Sequence, residues 1–170
     1  MTKLLALDQS SRINGWAIFE DNKLISYGKF SLEDEEIEKR LIQLSKFICR
    51  VVKEKKIDEI ALEDIQMQTS VGNNVKTFKV LAQVQGVVLF TAEMLGIPHT
   101  VVSAATWKST LGIKGKNRPE QKKNAQLYVE EHYHIKPTQD ECDAICIGVH
   151  VSSKMVAAHK ITNNGFDWSE

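Results

Sequence analysis

Four carboxylates occupy positions where they could do chemistry: Asp8, Glu63, Asp140 and Asp143. Asp8 and Glu63 close the apolar runs LLALD and IALED, while Asp140 and Asp143 lie three apart where a late helical pattern begins. Residues at that spacing share one face of a helix. Carboxylates at the mouths of two strands and on one helix face can meet in space although they are distant in sequence. A cluster of oxygen donors without histidine or cysteine is the ligand type that hard divalent cations prefer. The chemistry it points to is metal-assisted cleavage of a phosphodiester.

Read singly, Asp8, Asp140 and Asp143 also have structural explanations, whereas Glu63 is harder to dismiss. Asp8 precedes the polar turn Gln-Ser-Ser and suits a turn or cap. Glu63 follows Ile60-Ala61-Leu62, where strand propensity disfavours it and burial without a partner is costly. Asp64 points to the opposite face of the same strand and is expected to be solvated. Thr138 with Glu141 three residues on forms a capping box, which gives Glu141 a structural task. Acids in a first helical turn are favoured by the helix dipole alone. Asp143 nevertheless adjoins Ala144, Ile145 and Ile147, so this pair should look toward a sheet.

The elements that must position these acids follow from the apolar pattern. Strands are predicted at residues 3–7, at Trp16 to Phe19 and at Leu24 to Phe30, the last two joined by a turn at Glu20-Asp-Asn-Lys23. A helix follows with Ser31 as N-cap and Ile37, Leu41, Leu44, Ile48 and Val51 in period. Ile57 to Glu63 reads as a strand, and a loop around Gly72 leads to a helix over about 74–95. Thr100 to Ser103 reads as a strand and Gly112 to Asn117 as a loop. Two more helices start near Pro119 and at Thr138. This order implies an α/β fold with a five-stranded mixed sheet flanked by helices on both faces. The expected domain spans 1–158 and a loosely held tail 159–170.

At 170 residues the chain suits one domain that buries roughly 70% of its unfolded surface. The formal net charge is zero, but charge is unevenly placed. Lys108, Lys114, Lys116, Arg118, Lys122 and Lys123 stand against one acid, Glu120, within residues 108–123. Cys49, Cys142 and Cys146 are an odd set in apolar segments and read as buried free thiols of a reducing compartment. No secretory signal is expected. The most apolar stretch, 80–95, contains Gln83, Gln85 and Glu93 and is too short and polar to span a bilayer. A soluble, cytoplasmic protein is the expectation.

The stretches LLALDQSSRINGWAI, IALED, VGNNVKTFKVLAQVQGVV, SAATWKSTLGIKG and TQDECDAICIGVHV resemble, in order and spacing, the RuvC family of Holliday-junction resolvases. Within that resemblance it looks most like the shorter versions carried by phages of Gram-positive hosts such as lactococci. The resemblance implies the RNase H-like fold and makes Asp8, Glu63, Asp140 and Asp143 the catalytic acidic tetrad. It implies two Mg²⁺ ions, replaceable by Mn²⁺, with Asp8 as the natural bridge between them. It also implies branched DNA as substrate, with 5′-phosphate and 3′-hydroxyl products. Lys108 matches a basic position of the family and Lys122 or Lys123 another; the whole run should hold phosphates. The chain departs from the family at Asp8-Gln9-Ser10, where bacterial members usually have Asp-x-Gly. It departs again at Gln66, which stands near a place where they carry a junction-probing aromatic. Gln cannot stack on a base, which puts strict sequence preference in doubt.

Symmetric cutting of a four-way junction implies a two-fold homodimer. The helix from Val75 to Leu95 is its candidate surface, through Phe78, Leu81, Val84 and Leu89, unless these pack on the sheet. His132 and His134 face apart at i, i+2, which argues against zinc. Trp107 and Trp168 can stack on bases, although a lone aromatic more often packs. Other readings stay in view: an ATPase of the actin and sugar-kinase type, which lacks its glycine-rich loop here; a catalytically silent junction-binding module; and a broader fork or flap nuclease.

Overall fold

The computed structural model describes residues 1–66 and 75–163, and side chains of the last helix as far as residue 155. Met67, the loop at Gly72, Trp168 and the tail from residue 164 onward lie outside the described residues.

Three strands open the chain, β1 (Lys3–Asp8), β2 (Ile13–Glu20) and β3 (Lys23–Ser31). Helix α1 (Ile37–Lys55) leads to β4 (Glu59–Glu63), and α2 (Val75–Met94) leads to β5 (His99–Val102). Helices α3 (Ala104–Thr110), α4 (Arg118–Tyr133) and α5 (Gln139–Asn163) complete the chain. The sheet order is β3-β2-β1-β4-β5. The first three strands pair antiparallel, whereas β4 runs parallel to both β1 and β5. This is the expected five-stranded mixed sheet. The β2–β3 turn places Asp21 and Asn22 at φ 47° and 69°, the left-handed pair a two-residue hairpin of matching twist requires.

Strand alternation sorts the core into two layers. Leu4 and Ala6 of β1, Ala17 and Phe19 of β2 and Ala61 of β4 face α5, α4 and Trp107. Leu5 and Leu7 of β1, Ile18 of β2 and Ile60 and Leu62 of β4 face α1 and α2. All three cysteines are free, and no described helix is long and apolar enough to cross a membrane.

The structure differs from the sequence reading at three elements. Ser31 ends β3 instead of capping α1. Leu32 is buried and donates its N–H to the Arg12 carbonyl at 2.6 Å, and the Arg40 guanidinium donates to the Asp34 and Glu35 carbonyls at 2.8 Å. These ties keep the chain out of helix until Glu36. Helix α3 was not anticipated: its seven residues bury Trp107 alone, too few for a period, and its signal is the Ser103 cap, which accepts from the Thr106 N–H at 3.1 Å. In α2 the core stripe is Val84, Val88, Thr91 and Ala92, while Leu89 packs on that same core. The exposed apolar residues of this helix are instead Val75, Phe90 and Met94.

Candidate active site

Strand parity brings the acids to one side of the sheet. Asp8 follows Leu4 and Ala6, and Glu63 follows Ala61, on the face that α5 covers. The parallel register pairs Leu7 with Leu62, so Asp8 and Glu63 leave adjacent strands side by side. Gln9, the residue standing in the family's Asp-x-Gly stretch, is buried and closes the gap between the two strand ends. Its Nε2 donates to the Glu63 carbonyl at 2.5 Å and its Oε1 accepts from the Glu63 N–H at 3.2 Å. A side-chain amide thus continues the ladder by one rung.

Helix α5 delivers the other two acids. Glu141 Oε2 accepts from the Thr138 N–H at 2.7 Å, the glutamate half of the expected capping box, and from the Thr138 hydroxyl at 2.9 Å. The first turn then rests on β2 at Gly15, the residue paired with Asp8. A β-carbon there would lie 1.9 Å from the Asp140 carbonyl oxygen, so only glycine permits this approach. Gly15 is a site-building residue that the sequence reading passed over. The Gln139 Nε2 donates to Asp143 Oδ1 at 2.9 Å.

The four acids line one groove of ≈ 530 Å³, together with Lys108, Arg118, Lys122 and Gln66. Lys114 lines the neighbouring depression with Gln66 and Lys108. Lys116 and Lys123 are exposed and line neither. Asp64, expected in solvent, is half-buried at the groove: Gln85 of α2 donates to its Oδ1 at 3.4 Å and accepts from the Ile65 N–H at 3.0 Å. Trp107, expected as packing, is buried and also donates its indole N–H to Glu63 Oε2 at 2.8 Å. The Lys108 ammonium lies 5.2 Å from the centre of that indole.

The electrostatics show negative charge in excess. Burial pushes the Asp8 carboxyl well above the ordinary range, and Asp143, Glu63 and Asp140 add repulsion that Lys122 opposes. Asp143 is pushed up to about 6 by burial and by Glu63, against Gln139, Lys108 and Lys122. Burial raises Glu63 too, against the Trp107 hydrogen bond, Lys108 and Arg118. Neither histidine nor cysteine lines the groove. Among the described residues no three or more His, Cys, Asp or Glu side chains stand close enough to hold a metal ion between them; the four acids share the lining of one groove. Oxygen donors crowded until burial and mutual repulsion favour protonation fit a hard divalent cation, which would relieve both.

Comparison with known proteins identifies the family and the fold. The family model described as crossover junction endodeoxyribonuclease RuvC matches residues 4–150. A relative of that name from Shewanella frigidimarina is 24% identical over 155 residues, covering 88% of this chain and 86% of its own. Another from Syntrophomonas wolfei is 27% identical over 155 residues, covering 86% of each. Among solved structures, T. thermophilus RuvC in complex with Holliday junction substrate matches with a TM-score of 0.74 at 15% identity, over 91% of this chain and 96% of that one. The yeast mitochondrial Holliday junction resolvase Ydc2 matches with a TM-score of 0.55 at 16% identity, over 95% and 82%. The two structures share the fold, which is RNase H-like, and the family model spans both strand-end acids and the α5 pair. The chain belongs to the RuvC family of crossover junction endodeoxyribonucleases.

Proposed function

We propose that this chain is a metal-dependent, structure-selective endonuclease that resolves four-way DNA junctions by paired symmetric nicks, leaving 5′-phosphate and 3′-hydroxyl ends. The observation that carries this reading is the convergence of Asp8, Glu63, Asp140 and Asp143 on one groove rimmed by Lys108, Arg118 and Lys122. Two Mg²⁺ ions, replaceable by Mn²⁺, would be held by those four carboxylates and would supply activation of water and charge stabilisation at the leaving 3′ oxygen. The rest is the work of the chain itself. Gln9 fixes the spacing of Asp8 and Glu63, and Gly15 fixes the height of Asp140 and Asp143 above them. Gln139 holds Asp143 through Oδ1 at the groove it lines. Lys108, Arg118 and Lys122 hold the phosphates that flank the scissile bond, with Lys114, Lys116 and Lys123 further along the backbone.

The test is incubation with four-way, three-way, forked and linear DNA in Mg²⁺, with Asp8→Asn as control. Cutting confined to four-way junctions supports the resolvase; no cutting of any branched substrate by the wild type would refute the nuclease reading. One observation favours a broader debranching activity: Gln66 is exposed at the groove where an aromatic would probe the junction. Comparable cutting of forks would establish it.

A two-fold homodimer fits the exposed apolar row on α2, where Phe90 and Met94 are 65% and 71% exposed and Val87 is half-buried. These residues share one helix face. Kinship with phage-borne versions, and so a bacterial host, follows from the motif resemblance; action in the cytoplasm follows from the unpaired cysteines.

A further inference from the structure

Glu63 has to wait in a half-buried place, near three other acids, with its carboxylate already aimed. Burial of a charge without a partner is costly, and a Glu side chain with free torsions would spend little time in one orientation. The structure gives it one charge-assisted hydrogen bond, from Trp107 Nε1 to Oε2 at 2.8 Å. Among the described residues no other side chain donates to this carboxylate. The donor is itself fixed. Trp107 is 1% exposed and packs into the layer beneath α5. The Lys108 ammonium approaches its ring at 5.2 Å and is in turn tethered to Gln121 Oε1 at 3.3 Å. A ring held on its face and along its body cannot swing its N–H away from Glu63.

We propose that Trp107 is the positioning residue for Glu63, holding Oε2 so that Oε1 is presented to a divalent cation in the groove. The inference rests on the endonuclease reading of that groove and deepens it. Glu63 thereby acts as a one-oxygen ligand whose orientation exists before the cation arrives. Groups that orient a metal ligand in this way typically change metal affinity or activity about 10- to 100-fold when removed. A tryptophan that only filled the core would cost stability when replaced and leave metal affinity untouched.

The experiment follows the indole N–H signals of ¹⁵N-labelled full-length protein, which has three tryptophans, Trp16, Trp107 and Trp168. Trp107→Phe identifies one signal by its loss; Trp16→Phe and Trp168→Phe identify it by elimination. In the wild type the Trp107 signal is expected to shift on titration with Mg²⁺, and in Glu63→Gln to stay still. Calorimetry on Trp107→Phe is expected to show Mg²⁺ affinity weakened about 10- to 100-fold, with junction binding in EDTA unchanged and cutting restored at high Mg²⁺. Wild-type Mg²⁺ affinity in a folded Trp107→Phe variant would overturn the proposal. Should that variant not fold, the wild-type titration decides: a Trp107 signal indifferent to Mg²⁺ that measurably binds would overturn it equally. Failure of the endonuclease reading looks different, because the signal and the affinity would then respond as expected while no DNA is cut.

Discussion

Gly15 of β2 and Asp140 of α5 are in direct backbone contact: a β-carbon on Gly15 would lie 1.9 Å from the Asp140 carbonyl oxygen and 2.4 Å from its carbonyl carbon. Because Gly15 is also the β-ladder partner of Asp8, one glycine sets how closely the helix-borne acids approach the strand-borne ones. Gly15→Ala must push α5 off the sheet. The expected result is a stability loss of about 1–3 kcal/mol, as for other overpacked sites. Junction cutting should fall by about 100-fold in the protein that remains folded, since displacements near 1 Å cost that much. Denaturation curves alongside single-turnover cleavage would check both; undiminished cutting would show that the contact does not set the site.

The acids should also make the metal-free protein sensitive to pH. Asp143 ionises at about 6 in the fold against an ordinary 3.8, and Asp8 and Glu63 are raised as well. A carboxyl with a raised folded pKa binds its proton more tightly folded than unfolded. Its contribution is therefore fully present below about pH 4 and is lost as pH rises through about 6. In EDTA, Asp143→Asn is expected to be more stable than wild type at about pH 7.5 by on the order of 1–3 kcal/mol, and to lose this advantage near pH 4. The same substitution should abolish cutting. Urea denaturation of both proteins across that range gives the answer, and Mg²⁺ should raise wild-type stability by mass action.

Much of this site was legible in the sequence, for physical reasons that differ by residue. Glu63 announced itself because strand propensity and burial both disfavour an acid there; Asp8, which alone suits a turn, became legible only in combination with the others. The Thr138–Glu141 cap was legible because a capping box is local chemistry. Strand parity put Asp64 in solvent, yet it lines the groove half-buried, because the amide that holds it, Gln85, comes from α2 and is long-range. Trp107 and Gly15 were not legible for the same reason. Each acquires its role from a partner far along the chain, Glu63 for one and Asp140 for the other. Ser31 misled because its local propensity to cap was overridden by the burial of Leu32 and the ties of Arg40.

The basic residues should separate by position. Lys122 lines the groove and acts on Asp8 and Asp143, whereas the exposed Lys123 and Lys116 do not line it. Lys122→Ala is expected to weaken junction binding in EDTA and to reduce the slope of log affinity against log salt by about one. Lys123→Ala should do less. Equal effects from the two substitutions would mean that the DNA path does not follow the groove rim.

The α2 surface makes a separate test possible. Phe90→Glu adds a charge to the exposed apolar row and is expected to shift a dimer to monomer in sedimentation experiments without unfolding the chain. Paired cuts should then give way to single nicks, because each active site works alone. A wild type that sediments as a monomer while bound to a four-way junction would remove this surface as the interface.

The most direct measurement is strand-by-strand mapping of cuts in a four-way junction, each strand end-labelled in turn, with wild type and Asp8→Asn in Mg²⁺ and in EDTA. Symmetrically placed nicks in two opposing strands, with religatable 5′-phosphate and 3′-hydroxyl ends, are expected from the wild type in Mg²⁺ alone. Cutting that persists in Asp8→Asn or in EDTA would contradict a metal-dependent reaction centred on Asp8, Glu63, Asp140 and Asp143.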